Sequence, residues 1–171
     1  MFIISGCSWL SVIDVEPHKL LLLPPSEGPT EVLLKQKLTM TSAVGEHQII
    51  VLTRLEKDQL KLRALLPTGQ TVLSIDYDGE TLAQHDYSSF SLPSEDILAI
   101  LQFSLWPMDS IKKHYLHSDG WQLVVGEKQR DLKTKTRHIM TITYPSTEKM
   151  LVVNKLSNYQ INIELIEQKK L

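Results

Sequence analysis

One cysteine stands in 171 residues, so no disulfide can form within the chain and the core must come from burial alone. A folded chain of this size buries roughly 68–70% of the surface its unfolded form exposes, which is enough for an ordinary single domain. Cationic excess is missing as well: 18 Lys and Arg face 20 Asp and Glu, for a net charge of -2. Without a basic block the chain has little to offer nucleic acid, whose binding rests on clustered Lys and Arg neutralising phosphates. No run of about 18 apolar residues occurs, so no helix of this sequence is expected to span a membrane. Aromatic residues make up only 6% against 42% hydrophobic residues, which implies an aliphatic core. A Gly-x-Ser-x-Gly elbow, a phosphate-binding glycine loop and a His-Glu-x-x-His helix are all lacking. Nothing here asks for an enzyme or a cofactor, and internal repeats and low-complexity stretches are absent too.

The lone thiol is Cys7, preceded by Ile4-Ser5-Gly6. A branched apolar residue, two small residues and a cysteine in that order look like a bacterial lipobox. Signal peptidase needs small side chains beside the bond it cuts, and the diacylglycerol transferase needs a thiol as nucleophile. The plainer reading is a free thiol acting as a small hydrophobe. A signal peptide also needs a basic region and roughly 7–15 apolar residues, which Met1-Phe2-Ile3 does not supply. The expectation is therefore a recorded start inside a longer signal, with residues 1–6 as its remnant and Cys7 as the lipid attachment point. With each buried methylene worth about 0.8 kcal/mol, two or three acyl chains such as palmitate would hold the protein on a bilayer essentially permanently. Ser8 follows the cysteine where enterobacterial-type lipoproteins retained at the inner membrane usually carry Asp, so the outer membrane is expected.

From Ser8 to Thr30 the residues Pro17, Pro24, Pro25, Gly28 and Pro29 discourage helix, which predicts a lipidated tether over 7–30 and a domain over 31–171. Leu20 to Leu23 could still lie against that domain. Then apolar and polar residues alternate in short runs separated by turns, the signature of an antiparallel meander. Val32, Leu34, Leu38 and Met40 alternate with Lys35, Lys37 and Thr39, and His47 to Leu55 suggests a strand buried on both sides. Leu60, Leu62, Ala64 and Leu66 lead to a turn at Pro67-Thr68-Gly69, and Leu73, Ile75 and Tyr77 return from it. Asp78-Gly79 signals a hairpin before Glu80 to His85.

The period changes once. Ser94-Glu95-Asp96 offers a cap and an acidic first turn, Ile97, Ile100, Leu101, Ser104 and Leu105 share a helical face, and Pro107 ends the helix. Alternation resumes in Trp121 to Val125, His138 to Tyr144, Lys149 to Leu156 and Tyr159 to Ile166. Nine or ten strands around one helix predict a mainly β, α+β fold with a strongly curved sheet wrapped over that helix.

Few residues suggest chemistry. His114 and His117 would share a helical face, but no Asp, Glu or Cys at a suitable spacing completes a metal set, so no metal is expected. His85 and Asp86 are adjacent in a strand and point to opposite faces, so they do not form a base and its orienter. Asp76 and Asp78 read as turn chemistry. The aliphatic excess has two readings, an ordinary core or a cavity that conforms to alkyl chains.

Taken in order, these segments resemble LolB, the outer-membrane lipoprotein receptor, and more closely a family of LolB-like lipoproteins that accompanies aryl polyene biosynthesis genes. The likeness runs from about Leu33 to Ile166. It is carried by the stretch from Asp58 to Gly69, similar to the receptor's strand and protruding turn, by Leu92 to Pro107, similar to its central helix, and by Gly120 to Val125 with the closing strands. The resemblance implies an open, incomplete antiparallel β-barrel of the LolA/LolB type covering a central helix. Its concave face would take acyl chains passed from a periplasmic LolA-like carrier. In the receptor the protruding turn carries an exposed Leu between Pro and Gly; here Leu66, Pro67, Thr68 and Gly69 are expected to form the exposed turn, with Thr68 between Pro67 and Gly69, so the tip is polar.

The sequence thus predicts a non-catalytic lipoprotein on the periplasmic face of the outer membrane that binds or shuttles an acylated or polyene lipid, or lipoprotein acyl chains. Leu62, Ala64, Leu73, Ile75, Ile97 and Leu101 are the expected cavity lining. The alternatives are an assembly lipoprotein that contacts protein partners without carrying lipid and, third, an enzyme acting on a lipid conjugate.

Overall fold

A computed structural model describes residues 19–43, 45–87, 94–116 and 120–171. Cys7 and His117 lie outside them.

Ten strands form one antiparallel sheet: β1 (Val32–Ser42), β2 (Gly45–Glu56), β3 (Gln59–Leu65), β4 (Thr71–Tyr77), β5 (Leu82–Asp86), β6 (Trp121–Gly126), β7 (Gln129–Thr134), β8 (His138–Ser146), β9 (Lys149–Asn154) and β10 (Tyr159–Lys170). Their order is β5-β4-β3-β2-β1-β10-β9-β8-β7-β6. The chain meanders outward from β1 to one edge, crosses through the helices α1 (Ser94–Leu105) and α2 (Met108–Tyr115), and meanders back from the other edge until β10 pairs with β1. The ladder does not close, because β5 and β6 each pair on one side only. The fold is thus mostly antiparallel sheet with two helices, and the sheet is open.

Period-two burial carries the strands. Val32, Leu34, Gln36 and Leu38 are buried on β1, as are Ile49, Val51, Thr53 and Leu55 on β2. The second set corrects the expectation of a strand buried on both sides, since Ile50 and Leu52 on the other face are only half-buried. At the β4–β5 turn the Asp78 carboxylate accepts the amides of Glu80 (2.9 Å) and Thr81 (2.7 Å), and Gly79 takes φ +102, a value that favours glycine.

Helix α1 buries Ile97 to Ser104 without interruption, in one apolar cluster with the strands. Its last carbonyls need partners, and the sheet supplies them. Arg130 Nη1 donates to Phe103 O (2.7 Å) and Trp106 O (3.1 Å), and the Tyr144 hydroxyl donates to Ser104 O (2.9 Å). At the other end the Ser94 hydroxyl donates to Gln84 on β5. Pro107 ends α1 as expected, but it also precedes a second helix that the period did not suggest. Phe103, Tyr115 and Trp121 join α1, α2 and β6 by edge-to-face contacts, with centroids 5.2 and 5.5 Å apart.

Residues 19–30 form a strap across the helices. Leu23 N–H donates to Gln102 Oε1 (2.8 Å), and Gln102 Nε2 donates back to Leu23 O (2.7 Å). Trp106 Nε1 donates to Pro24 O (3.1 Å), and Leu21 N–H donates to the Tyr115 hydroxyl oxygen (3.1 Å). Gly28 lies so close to Leu55 and Trp106 that a Cβ there would sit 2.9 Å from each.

Candidate functional site

The six residues expected to line a cavity all belong to the apolar core. Leu62 pairs with Ile75 and Ala64 with Leu73 across β3 and β4, while Ile97 and Leu101 lie one turn apart on α1. All six are buried in the apolar cluster. None of them borders the hollows found among the described residues. In the β3–β4 turn Pro67, Thr68 and Gly69 are exposed, whereas Leu66 is half-buried and packs against the core. Leu66 N–H donates to Gln70 O, Gly69 N–H donates to Leu66 O, both at 2.8 Å, and Gly69 takes φ +90.

The largest of these hollows lies elsewhere, at the C-terminal end of α1. It encloses about 520 Å³ between that helix end and strands β1, β8, β9 and β10. Leu34, Leu105, Tyr144, Met150 and Leu165 make its apolar wall, Gln36 belongs to its lining, and Lys128, Glu148 and Gln168 supply polar groups. Its size falls within the range of roughly 300–1,000 Å³ typical of small-ligand sites. Two smaller hollows follow it in series, each sharing residues with the one before. One of 220 Å³ shares Leu34, Leu105 and Gln168 and reaches Pro29 and Lys170; the next, of 370 Å³, continues past them to Pro25 and Lys57.

Two register slips border this space. The β1–β10 register slips at Gln36, which faces Leu165 while Lys35 faces Glu167, so Ile166 is the extra residue of a bulge. A second slip separates Thr143 from Ser146 where β8 meets β9. The neighbouring backbone is nonetheless tied down, by Leu165 N–H to Glu148 O (2.8 Å) and Tyr144 N–H to Lys128 O (2.9 Å). Arg130 sits 5.3 Å from the centre of the Tyr144 ring. Burial pushes the Tyr144 hydroxyl up to about 12, which keeps it a neutral donor at ordinary pH.

Gln36 was legible as an anomaly: it interrupts the inward series Val32, Leu34, Leu38 with an amide. Its Oε1 is buried and has no hydrogen-bond partner among the described residues, and neither has Thr53 Oγ1 on the adjoining strand.

The other candidate residues have structural partners. The Glu27 carboxylate accepts from the Ser110 hydroxyl (2.9 Å), lies 2.9 Å from His114 Nε2 and pairs with Lys113. The Lys113 ammonium holds its pKa down at about 2, helped by His114 and Ser110 and opposed by desolvation. His85 stacks on Tyr87 (6.2 Å), and Asp76 pairs with Arg63 (2.9 Å). Among the described residues no group of three or more His, Cys, Asp or Glu could hold a metal ion.

Among solved structures, the chain is similar to the crystal structure of a domain assigned to an outer membrane lipoprotein-sorting protein from Vibrio parahaemolyticus. The two share 8% identity at a TM-score of 0.44, over 85% of this chain and 87% of that one. No curated protein matches the chain. The model of one protein family matches residues 33–167, from β1 into β10 and therefore over both helices and almost the whole sheet. The chain belongs to that family, described as protein of unknown function (DUF3261).

Proposed function

We propose that this protein is a non-catalytic lipoprotein of the outer membrane, anchored through Cys7 on the periplasmic face, whose open half-barrel curves over α1 and binds or shuttles an acylated or polyene lipid. The observation that carries this reading is the 520 Å³ hollow at the end of α1, walled by aliphatic and thioether side chains. Flexible side chains such as Leu34, Leu105, Met150 and Leu165 conform to an alkyl chain without fixed polar anchors. Lipoprotein acyl chains handed over by a LolA-like carrier would fit the same chemistry. The polar tip at Thr68 favours lipid carriage over direct insertion of lipoproteins into a membrane.

The test is native mass spectrometry, with lipid extraction, of protein purified from its own host. A co-purifying lipid and displacement of a fluorescent fatty acid are the expected results. A protein that carries no lipid and binds no acyl probe overturns the reading in favour of an assembly lipoprotein. One observation favours that second reading: the edge strand β6 exposes Val124 (48%) and Val125 (43%), an apolar edge of the kind proteins use to pair with another chain.

A further inference from the structure

Within the lipid reading, we infer that the hollow at the end of α1 recognises an alkyl chain bearing a hydrogen-bond donor, an amide N–H or a hydroxyl, and that Gln36 Oε1 is the acceptor. The inference rests on that reading and adds the chemistry of its ligand.

Two independent observations meet at Gln36. The residue belongs to the lining of the hollow, and it is only 1% exposed with Oε1 unpartnered among the described residues. Buried amide oxygens nearly always find a donor, so an orphan of this kind asks for one from outside the chain. The register slip in β1–β10 occurs at this same residue, and bulges commonly re-aim a side chain beside a binding site. Leu34, Leu105, Met150 and Leu165 make the apolar part of the wall, the Tyr144 hydroxyl is already committed to Ser104 O, and Lys128, Glu148 and Gln168 bring the other polar groups. A chain lying along the apolar part of that wall would have in Gln36 Oε1 a buried acceptor still without a donor. A simple ester brings only acceptors and leaves Gln36 unsatisfied, whereas an N-acyl amine or a hydroxylated acyl chain satisfies it. Specificity of this sort comes from the penalty on the ligand that leaves a buried group unpaired.

The probes are N-dodecylacetamide and dodecyl acetate, which differ by NH in place of O. Each is titrated against the full chain by displacement of dansyl-labelled undecanoic acid. The amide is expected to bind roughly tenfold tighter. Gln36→Leu should erase that preference while holding dodecyl acetate at least as well, with folding checked by circular dichroism. Met150→Trp, which fills the hollow and leaves Gln36 in place, should weaken both probes and so fix the location. Equal binding of the two probes by the wild type overturns the donor requirement and leaves the lipid reading standing. A preference that survives Gln36→Leu overturns the assignment of Gln36. No binding of either probe, nor of the dansyl acid, overturns both.

Discussion

Gln102→Leu isolates what the strap contributes to the fold. The Gln102 amide reads both backbone groups of Leu23, accepting from its N–H at 2.8 Å and donating to its C=O at 2.7 Å, with both residues fully buried. Leucine is close to glutamine in size but can satisfy neither group. Each buried backbone group left unpaired costs about 1–3 kcal/mol, and the added apolar burial returns about 1 kcal/mol, so the expected net loss is about 3 kcal/mol. For a chain of this length 1 kcal/mol moves Tm by roughly 2–4 °C, which gives a fall of roughly 6–12 °C. Thermal unfolding followed by circular dichroism at pH 7 measures it, and hydrogen exchange at the Leu21 and Leu23 amides shows where the loss falls. Normal exchange at both amides together with a Tm within about 2 °C of wild type would refute the reasoning, because the strap would then be held by something other than these two bonds.

Gly28→Ala should destabilise by about 1–3 kcal/mol in urea titration, since its Cβ would lie 2.9 Å from Leu55 and from the Trp106 ring. At φ -77 the backbone itself tolerates alanine, so the clash is the whole cause. Leu62→Glu, which places a carboxylate at a fully buried position with no partner, should unfold the domain at pH 7 as seen by circular dichroism; a folded variant would show that water reaches this part of the inner face. Thr68→Leu, at the exposed β3–β4 turn, should change stability by no more than about 0.5 kcal/mol. Glu27 ionises at about 2 in the fold against an ordinary value of 4.5, so its ion pairs stabilise above pH 4.5 and that contribution is lost as pH falls toward 2. Glu27→Gln should accordingly cost about 1 kcal/mol at pH 7, allowing for solvent screening at a partly exposed carboxylate, and the gap to wild type should close on acidification. A gap independent of pH would contradict that linkage.

Where a strand or helix buries its own apolar pattern, the sequence announces it. The runs that became β1 to β4 and β8 to β10 alternate plainly, and α1 shows its acidic first turn and closing proline. Strand β7 is different: Gln129-Arg130-Asp131-Leu132-Lys133-Thr134 has one apolar residue, and its extended form comes from pairing with β6 and β8 on either side. Helix α2 was hidden behind Pro107, which the pattern presents only as a stop although proline is also at home where a helix begins. The strap is harder still to read. Prolines mark 19–30 as irregular, but its docking depends on Gln102, Trp106 and Tyr115, about 80–94 residues away in sequence, reaching backbone groups that no local pattern marks.

The candidate site was missed for a related reason. Alternation directs attention to Leu62, Ala64, Leu73 and Ile75, which belong to the same apolar core as Ile97 and Leu101. These residues, however, are fully buried and fill their space. The 520 Å³ hollow lies where pairing slips, at Gln36 on β1 and between Thr143 and Ser146 on β8. There Tyr144 and Arg130 serve the carbonyls at the end of α1, so their polar groups are spent on the helix terminus. At this place the sequence trace is an inward polar residue in an otherwise apolar series, Gln36. Separating the two regions also separates their tests: a charge at Leu62 interrogates folding, whereas changes at Gln36 or Met150 interrogate occupancy of the hollow. A substitution at Gln36 that altered ligand choice while leaving the unfolding transition in place would show that the space at the end of α1 is maintained for a ligand and is no defect of packing.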